Sequence, residues 1–345
     1  MRAGRSFMLD KFFIRFSEEE LMKKLIIFLM STLIVFESNA KDIRMLTGNN
    51  WAEKLGYPKG SRVVILHADD IGMCYEANHA AKKYLLNNEI QSAAAMVPCP
   101  WFDEFAKWAV ANPDEDIGLH LTLTSEWQTY RWGPISNPRD VPGLIDNDGY
   151  LWHTVSSVVT HASSEEIEVE IRAQIDRAIQ VGMKPDHIDT HMGTLFARTD
   201  YAYVFFKAAM DYNIPANVIE FTPLVVDKFR KQGYPITDEM IKYSHEYTLP
   251  KLDDFYSVPN GSTYENKKAN FFKLIQTLKP GISEIIFHSS IESEGLKKIT
   301  NSWQQRVWEA EMFSDPNVIQ FMKDEGLIFT NWKEMMERFN ERLKN

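Results

Sequence analysis

The sequence has no excess of basic residues. Its 38 lysines and arginines are outnumbered by 48 aspartates and glutamates, which gives a formal net charge of -10. Such a chain offers no electrostatic attraction to nucleic acid or to an anionic membrane surface, because both are polyanions. The charge balance therefore disfavours both classes of partner and fits a neutral or cationic substrate better.

Cysteine and linker-like segments are also scarce. Only Cys74 and Cys99 are present, and the sequence leaves open whether they form a disulfide or remain buried thiols. No tract rich in glycine and serine or in proline divides the chain, which predicts one domain rather than two. An apolar content of 44% is enough for a sizeable core in that domain.

The apolar run over residues 25–36 is too short to cross a membrane, which takes roughly 20 residues. Two lysines precede it and Ser38-Asn39-Ala40 follows it, which is the order of a secretory signal peptide cleaved after Ala40. No cysteine follows the run closely, so a lipid-attached N-terminus is not indicated. The pattern predicts a secreted or periplasmic protein with no stable membrane association after cleavage.

The signal pattern also divides the N-terminal part of the chain. Three consecutive glutamates end at residue 20, which is an unusual prelude to a signal peptide. We therefore interpret residues 1–21 as an upstream extension that is not native, with the true start at Met22. Residues 22–40 are then the signal peptide, and residues 41–345 form the single mature domain.

Strand-like and helix-like segments alternate along this domain. The alternation predicts parallel strands joined by crossover helices, and a count of roughly seven strands favours a closed barrel over an open sheet. Ser163 is expected to cap a helix that ends at Gly182. The predicted strands cover residues 62–67, 90–97, 117–124, 186–190, 284–288 and 327–330, and the predicted helices cover residues 76–88, 101–111, 163–181, 201–212, 266–278 and 302–313.

Acid and imidazole groups follow three of the predicted strands. They lie in His67-Ala68-Asp69-Asp70, Gly118-Leu119-His120-Leu121 and His187-Ile188-Asp189-Thr190-His191. Catalytic groups of α/β barrels and open α/β sheets gather at the C-terminal ends of strands. Together, the three segments could build a divalent-metal site with a spare carboxylate.

Strand geometry constrains these groups further. Side chains two residues apart on a strand share a face, so His187, Asp189 and His191 should point to one side. Three titratable groups in five positions favour a functional site over residues that are merely hydrogen-bonded at a strand end. Adjacent Asp69 and Asp70 converge only if the strand ends there, and Gly72 agrees with such a bend. One carboxylate could then bind metal while the other accepts a proton.

These segments resemble the YdjC-like carbohydrate deacetylases, which include chitooligosaccharide deacetylases and are related to polysaccharide deacetylases. The resemblance spans most of the mature chain and rests on several pieces in the right order: Ala68-Asp69-Asp70-Ile71-Gly72, Gly118-Leu119-His120-Leu121, residues 133–136, residues 141–149 and residues 184–191. It implies a distorted (β/α) barrel that removes an acetyl group from an N-acetylated sugar or oligosaccharide. It further implies that Asp70, His120 and His191 bind one divalent metal ion and that Asp69 is the catalytic base.

The implied chemistry suggests roles for further residues. A carboxylate and two imidazoles leave coordination positions for water and a substrate carbonyl; zinc suits the imidazoles, and magnesium suits an oxygen-rich set. His288, at the end of a predicted strand, is the candidate acid that protonates the departing amine. Asp189 is expected to orient a ligand imidazole, with His187 beside it. His67 is expected to be a structural residue or a neighbour of the site.

Aromatic residues cluster in the loop after His120. Trp127, Tyr130 and Trp132 could stack on sugar rings as a glycan subsite, or they could hold the loop by burying area. The sequence leaves these two interpretations open, together with the oligomeric state, for which a homodimer is one candidate.

Two departures from the family pattern keep a second function open. Met192-Gly193-Thr194 follows His191 where relatives often have more histidines, and Ser289-Ser290 follows His288 where Pro-Gly is common. An exported carbohydrate-binding protein with a degenerate site is therefore the alternative. A glycosidase that uses Asp69 and Asp70 is less favoured, because adjacent residues hardly provide the carboxyl separation of about 5 Å that retention requires.

Overall fold

Parallel strands form the centre of the molecule in the computed structural model, which describes residues 46–344. The strands are β1 (Arg62–Ile71), β2 (Ser92–Ala95), β3 (Ile117–Leu121), β4 (Ile188–Thr190), β5 (Asp254–Ser257), β6 (Gly281–Phe287) and β7 (Ile328–Phe329). They form a seven-stranded sheet in the order β4-β3-β2-β1-β6-β5, with β7 also paired to β1. Every pairing is parallel, as the alternation of strands and helices predicts.

Residues 215–220 bridge the two edges of this sheet. On one side, the Ile188 amide of β4 donates to the Pro215 carbonyl at 2.9 Å. On the other side, the Leu252 amide, just before β5, donates to the Val218 carbonyl at 2.9 Å. The strands therefore curl into a distorted (β/α) barrel, which confirms the predicted fold class.

Helices follow most of the strands and bury an apolar side. The helices are α1 (Trp51–Lys54), α2 (Tyr75–Leu86), α3 (Phe102–Ala111), α4 (Val155–His161), α5 (Ser164–Gln180), α6 (Thr199–Tyr212), α7 (Pro223–Lys231), α8 (Asp238–Glu246), α9 (Tyr264–Thr277), α10 (Glu294–Ile299), α11 (Trp303–Ser314), α12 (Pro316–Asp324) and α13 (Trp332–Lys344). Short 3-10 turns cover Pro142–Leu144 and His191–Phe196.

Helix α5 shows how a local pattern becomes structure. Ser163 accepts a hydrogen bond from the Glu166 amide while the Glu166 side chain accepts one from the Ser163 amide, which forms a capping box. Buried Ile167, Ile171 and Ile175 recur every four residues on the side that faces the core. Gly182 follows the helix with φ +96°, as expected of a C-terminal glycine.

Two further expectations from the sequence concern the cysteines and the N-terminal segment. Cys74 and Cys99 are both free and buried, so the structure contains no disulfide between them. The predicted extension over residues 1–21 and signal peptide over residues 22–40 lie outside the described residues. Among the residues that are described, no helix combines the length and apolar character needed to span a bilayer.

Candidate active site

A bulge at the end of β1 turns two consecutive carboxylates toward the barrel axis. The pairing with β2 shifts between Ala68 and Ile71, where one extra residue is inserted on β1. Asp70 lies in the left-handed region with φ 62°, and Gly72 follows with φ 83°. The expected bend is therefore present, but β1 continues through it to Ile71 instead of ending at the two aspartates.

The three residues expected to bind metal lie together at the C-terminal ends of β1, β3 and β4. Asp70 Oδ1 lies 3.5 Å from His120 Nε2 and 3.2 Å from His191 Nδ1. One ligand atom from each residue lies within 4.8 Å of the others, and all three side chains are buried. These residues therefore present one oxygen and two nitrogens to a common point.

A carboxylate contacts the imidazoles of His120 and His191 at the ring nitrogen that faces away from Asp70. His120 and Asp189 are direct partners across β3 and β4, and Asp189 Oδ1 lies 2.6 Å from His120 Nδ1. Glu126 lies 3.1 Å from His191 Nε2. The other nitrogen of each ring is thereby directed toward Asp70, which is the arrangement found around metal-binding histidines. Asp189 was expected in this role, whereas sequence analysis missed Glu126.

A buried arginine on α11 fixes the orientation of the Asp70 carboxylate. Arg306 donates to Asp70 Oδ2 at 2.7 Å, which leaves Oδ1 buried without a hydrogen-bond partner. Burial would raise the pKa of Asp70, but Arg306, His288 and His191 outweigh it and hold this pKa well below its usual range. Sequence analysis missed Arg306, because no local pattern marks a residue 236 positions away in the chain.

His191 lies between two carboxylates. Burial alone would lower its pKa, but Glu126 and Asp70 reverse the shift and raise it to about 10. Asp69 and Asp189 also lie nearby, so carboxylates surround the two imidazoles. A metal ion that binds the imidazoles would displace the proton that His191 otherwise carries.

Asp69 lies beside the triad of Asp70, His120 and His191 but faces a different partner. Its Oδ1 is 3.9 Å from His120 Nδ1 and 3.1 Å from His67 Nε2. His67 Nε2 is also 3.0 Å from Asp189 Oδ2. The imidazole of His67 therefore lies between the candidate base and the residue that orients His120, which places it next to the site as a neighbour.

His288 and His187 lie at different depths in the barrel. His288 follows β6, lines the cavity above the triad and has its Nε2 3.9 Å from Asp70 Oδ2. His187 is fully buried, and its Nδ1 lies 3.3 Å from Asp116 Oδ1. Strand periodicity gives His187, Asp189 and His191 one face, but each step of two residues also rises about 6.6 Å. His187 consequently lies below the cavity, and of these three residues only Asp189 and His191 line it.

The aromatic residues proposed for a glycan subsite contact one another and residues outside their loop, including Met73 and Arg306. Trp132 is 3% exposed and donates from its indole to the Thr124 carbonyl. Tyr130 donates to the Met73 carbonyl, and the Trp127 ring lies 5.3 Å from that of Trp132. None of the three lines the cavity at the triad. These contacts hold the loop in place, and the glycan subsite stays a prediction.

A cavity of about 260 Å³ opens from the triad toward residues 217–236, which lie between β4 and β5 in the chain. Its polar part includes Asp69, His120, His191 and His288. The rest of its wall includes an apolar chamber, which we define by the six residues Phe196, Ile219, Phe221, Phe229, Tyr234 and Ile236.

Comparison with known proteins identifies the family. A family model described as YdjC-like protein matches residues 63–324, which include every candidate site residue named above. The chain belongs to the YdjC-like family. A carbohydrate deacetylase from Brevibacillus brevis is similar to this YdjC-like protein, with 31% identity over 274 residues that cover 79% of this chain and 99% of the relative. Another, from Thermoanaerobacter pseudethanolicus, is 27% identical over 271 residues, covering 79% and 98% of the two chains.

A solved structure supports the fold of this YdjC-like protein. The crystal structure of an Enterococcus faecalis protein, described as a cellobiose-phosphate cleavage protein, matches with a TM-score of 0.65. The match covers 80% of this chain and 99% of that protein at 22% sequence identity. At this identity the likeness supports the barrel architecture alone.

The donor set in this YdjC-like protein fits a divalent metal ion. Asp70 Oδ1 is a buried oxygen with no hydrogen-bond partner, and two imidazole nitrogens converge on it. A buried, unpaired carboxylate oxygen is costly unless a cation or donor satisfies it. One carboxylate with two imidazoles suits zinc, and the nearby carboxylates are also compatible with harder ions.

Proposed function

We propose that this protein is a metal-dependent hydrolase that removes an acetyl group from an N-acetylated sugar or oligosaccharide. The observation that carries the proposal is the convergence of Asp70, His120 and His191 beside a second carboxylate, Asp69, in the barrel mouth. The names of the curated relatives, carbohydrate deacetylases, support the same reaction class.

Asp70, His120 and His191 would hold the metal ion. A divalent ion bound there would polarise the acyl carbonyl as a Lewis acid and lower the pKa of a nearby water molecule. Asp189 and Glu126 fix the ring orientation of the two histidines. Each carboxylate lies within hydrogen-bond distance of the ring nitrogen that faces away from Asp70.

Asp69 is the residue we assign as general base. It lines the cavity next to His120 but has no direct contact with the two nitrogens that face Asp70. Its carboxylate is therefore available to take a proton from water, while His67 at 3.1 Å limits its rotation. Separate environments allow one aspartate to bind metal and its neighbour to move a proton.

His288 is the residue we assign as general acid. Its imidazole lines the cavity, and its side chain is 36% exposed, so it can exchange protons with solvent between turnovers. The backbone amide of His288 donates to Glu309 Oε2 at 2.6 Å, which fixes the chain where it leaves β6. From this position the imidazole can deliver a proton to the departing amine.

The proposal is tested by acetate release from a panel of N-acetylated oligosaccharides. The purified protein is stripped of metal and resupplied with zinc, magnesium, manganese or cobalt. We expect release to return with at least one ion and to be lost in Asp70→Ala. The matched control is Asp324→Asn, because Asp324 lies exposed on α12 and should retain wild-type release.

A binding measurement separates loss of metal from loss of turnover. Metal should raise the melting temperature of the wild-type protein but not of Asp70→Ala, since a ligand stabilises only a state that binds it. Asp69→Asn should keep that thermal shift and lose acetate release. Sugar binding without any release would support the carbohydrate-binding alternative instead, and new reducing ends without acetate would point to a glycosidase.

We also propose that the protein is exported, as the charged, apolar and small-residue order of residues 22–40 suggests. N-terminal sequencing of protein recovered from the producing cell tests this. A mature terminus near residue 41 is expected, and an intact Met1 would contradict export by this route.

A further inference from the structure

The apolar chamber lies in the same cavity as the residues proposed to act on the scissile amide. His120, His191 and Asp69 line one part of this cavity, and the chamber residues line another part. A substrate whose acyl carbonyl lies at the triad would therefore have one of its substituents in the chamber. The identity of the chamber residues then limits what that substituent can be.

Four of the six chamber residues are apolar and sheltered from solvent, whereas Tyr234 is 37% exposed. Ile219, Phe221, Phe229 and Ile236 are each 6% to 7% exposed, although they line a cavity. The rings of Phe229 and Tyr234 meet edge to face, with centroids 5.6 Å apart. The walls therefore present a mainly apolar surface.

A sugar ring can stack its apolar face on these aromatic residues, but of the six chamber residues only Tyr234 offers a hydrogen-bonding group to the sugar hydroxyls. Each buried hydroxyl needs a hydrogen-bond partner, and leaving one unpaired costs about 1–3 kcal/mol. No lysine or arginine is among the described residues that line the cavity, so a phosphate group in the chamber would lack such a partner. An alkyl or aryl group needs no partner and gains free energy from every methylene that it buries.

One polar atom in the cavity indicates which polar group of the ligand lies beside the alkyl or aryl group. Asn217 is 7% exposed, lines the cavity, and has a buried Oδ1 without a hydrogen-bond partner. An amide oxygen accepts hydrogen bonds, so it calls for a donor on the ligand. An N–H or O–H next to an apolar group would satisfy it.

We propose that the substrate carries an apolar group larger than the acetyl methyl beside its scissile amide, and that the apolar chamber binds this group. The proposal rests on the deacylation proposed above and specifies its substrate class. Two sources supply the same chemistry: a longer N-acyl chain, or an alkyl or aryl aglycone on an N-acetylated sugar. The cavity volume of about 260 Å³ suits a short chain or one ring.

Two substrate series distinguish these sources. One is glucosamine N-acylated with acetyl, butanoyl, hexanoyl or octanoyl groups, and the other is N-acetylglucosamine with methyl, butyl, hexyl or phenyl aglycones. We expect kcat/KM to rise by about tenfold or more between the shortest member and the best member of one series. The series in which it rises identifies the source, whereas flat or falling values in both series would overturn the proposal.

Variants connect any such rise to the chamber. Phe229→Ala should reduce the preference for the long substituent over the short one by about tenfold, and Ile236→Trp should shift the optimum to a shorter one. Leu224→Ala is the matched control, because Leu224 is 73% exposed on the same helix as Phe229. Equal melting temperatures establish that the variants fold, and an unchanged preference in both chamber variants would contradict the assignment.

Affinity measurements keep this proposal separate from the proposed reaction. Calorimetry with Asp69→Asn should show the same rise in affinity along one series without turnover. If no member of either series is hydrolysed with any metal, the proposed deacylation fails, and the affinity series alone decides whether the chamber binds an apolar group. Affinity that is independent of substituent length would then overturn it.

Discussion

Arg306 donates a 2.7 Å hydrogen bond to Asp70 inside the barrel, and both side chains are almost fully buried. The pair joins the start of α11 to the end of β1. It occupies one oxygen of the carboxylate and leaves the other facing the two imidazoles. Among the described residues proposed to bind metal, Arg306 contacts Asp70 alone, and it determines which carboxylate oxygen faces the imidazoles.

Arg306→Met should destabilise the metal-free protein by about 3–5 kcal/mol, because it leaves the Asp70 carboxylate buried without its cation. Saturating metal should recover part of this loss, since a bound cation compensates the same charge. Urea unfolding with chelator and with zinc measures both effects. Arg177→Met removes an exposed pair with Asp103 and should change stability by about 1 kcal/mol or less. Equal stability of Arg306→Met and wild type in chelator would contradict the prediction.

Asp189→Asn should weaken metal binding. Asp189 holds His120 Nδ1 at 2.6 Å, and replacing such a carboxylate typically lowers metal affinity by about 10- to 100-fold. A chelator competition titration measures the change. Asp176→Asn is the control, because Asp176 accepts from Tyr212 on the outside of the barrel. Wild-type affinity in a folded Asp189→Asn protein would show that His120 keeps its orientation without this carboxylate.

Glu284→Gln should alter the pH dependence of stability. Burial raises the pKa of Glu284 from 4.5 to about 7. The folded state therefore keeps a proton between pH 4.5 and 7 that the unfolded state has released, so this group makes the protein less stable as pH rises through that window. The full effect is about 3 kcal/mol.

The glutamine variant lacks this titration, so its stability relative to wild type should increase from pH 4.5 to pH 7. Denaturant unfolding across that range measures the difference. Glu239→Gln, on the exposed side of α8, should show no such trend. Parallel curves for Glu284→Gln and wild type would mean that Glu284 titrates near its ordinary pKa.

Ser163→Ala should cost about 1 kcal/mol of unfolding free energy, because it removes the side chain that caps α5. Ser164 is one residue inside the helix, and its hydroxyl contacts only the side chain of Glu165. Ser164→Ala is therefore a control for the loss of a serine hydroxyl and should be nearly neutral. Similar losses in both variants would argue against a specific capping contribution.

Periodicity along the chain was enough to predict the barrel, and capping residues predicted both ends of one helix. Alternating strands and helices gave the parallel sheet, and Ser163 with Gly182 gave the ends of α5. The elements not predicted are helices α1, α4, α7, α8, α10, α12 and α13 and strand β5. All of them except α13 have nine residues or fewer, which is too short for a sustained apolar repeat, and β5 is also only partly buried.

Some residues of the candidate site could be predicted from local sequence, whereas their contacts depend on the tertiary structure. Asp69, Asp70, His120 and Asp189 stand at strand ends, where the chain itself marks them. The proximity of Asp189 to His120 depends on the register of β3 against β4, which no single segment encodes.

Glu126 and Arg306 reach the site from a loop and from a helix. Their charges resemble those of ordinary surface residues until the tertiary structure buries them, with Arg306 7% exposed. Residues of this kind cannot be recognised from local spacing, because their partners lie far away along the chain.

The backbone conformation of Asp70 lowers the stability of the fold. Its φ of 62° is a conformation that glycine adopts freely and that other residues adopt at some energetic cost. Glycine at this position would relax the backbone and remove a buried charge, but it would also leave Arg306 buried without its partner. The turn at the end of β1 therefore calls for a carboxylate and not only for a flexible backbone.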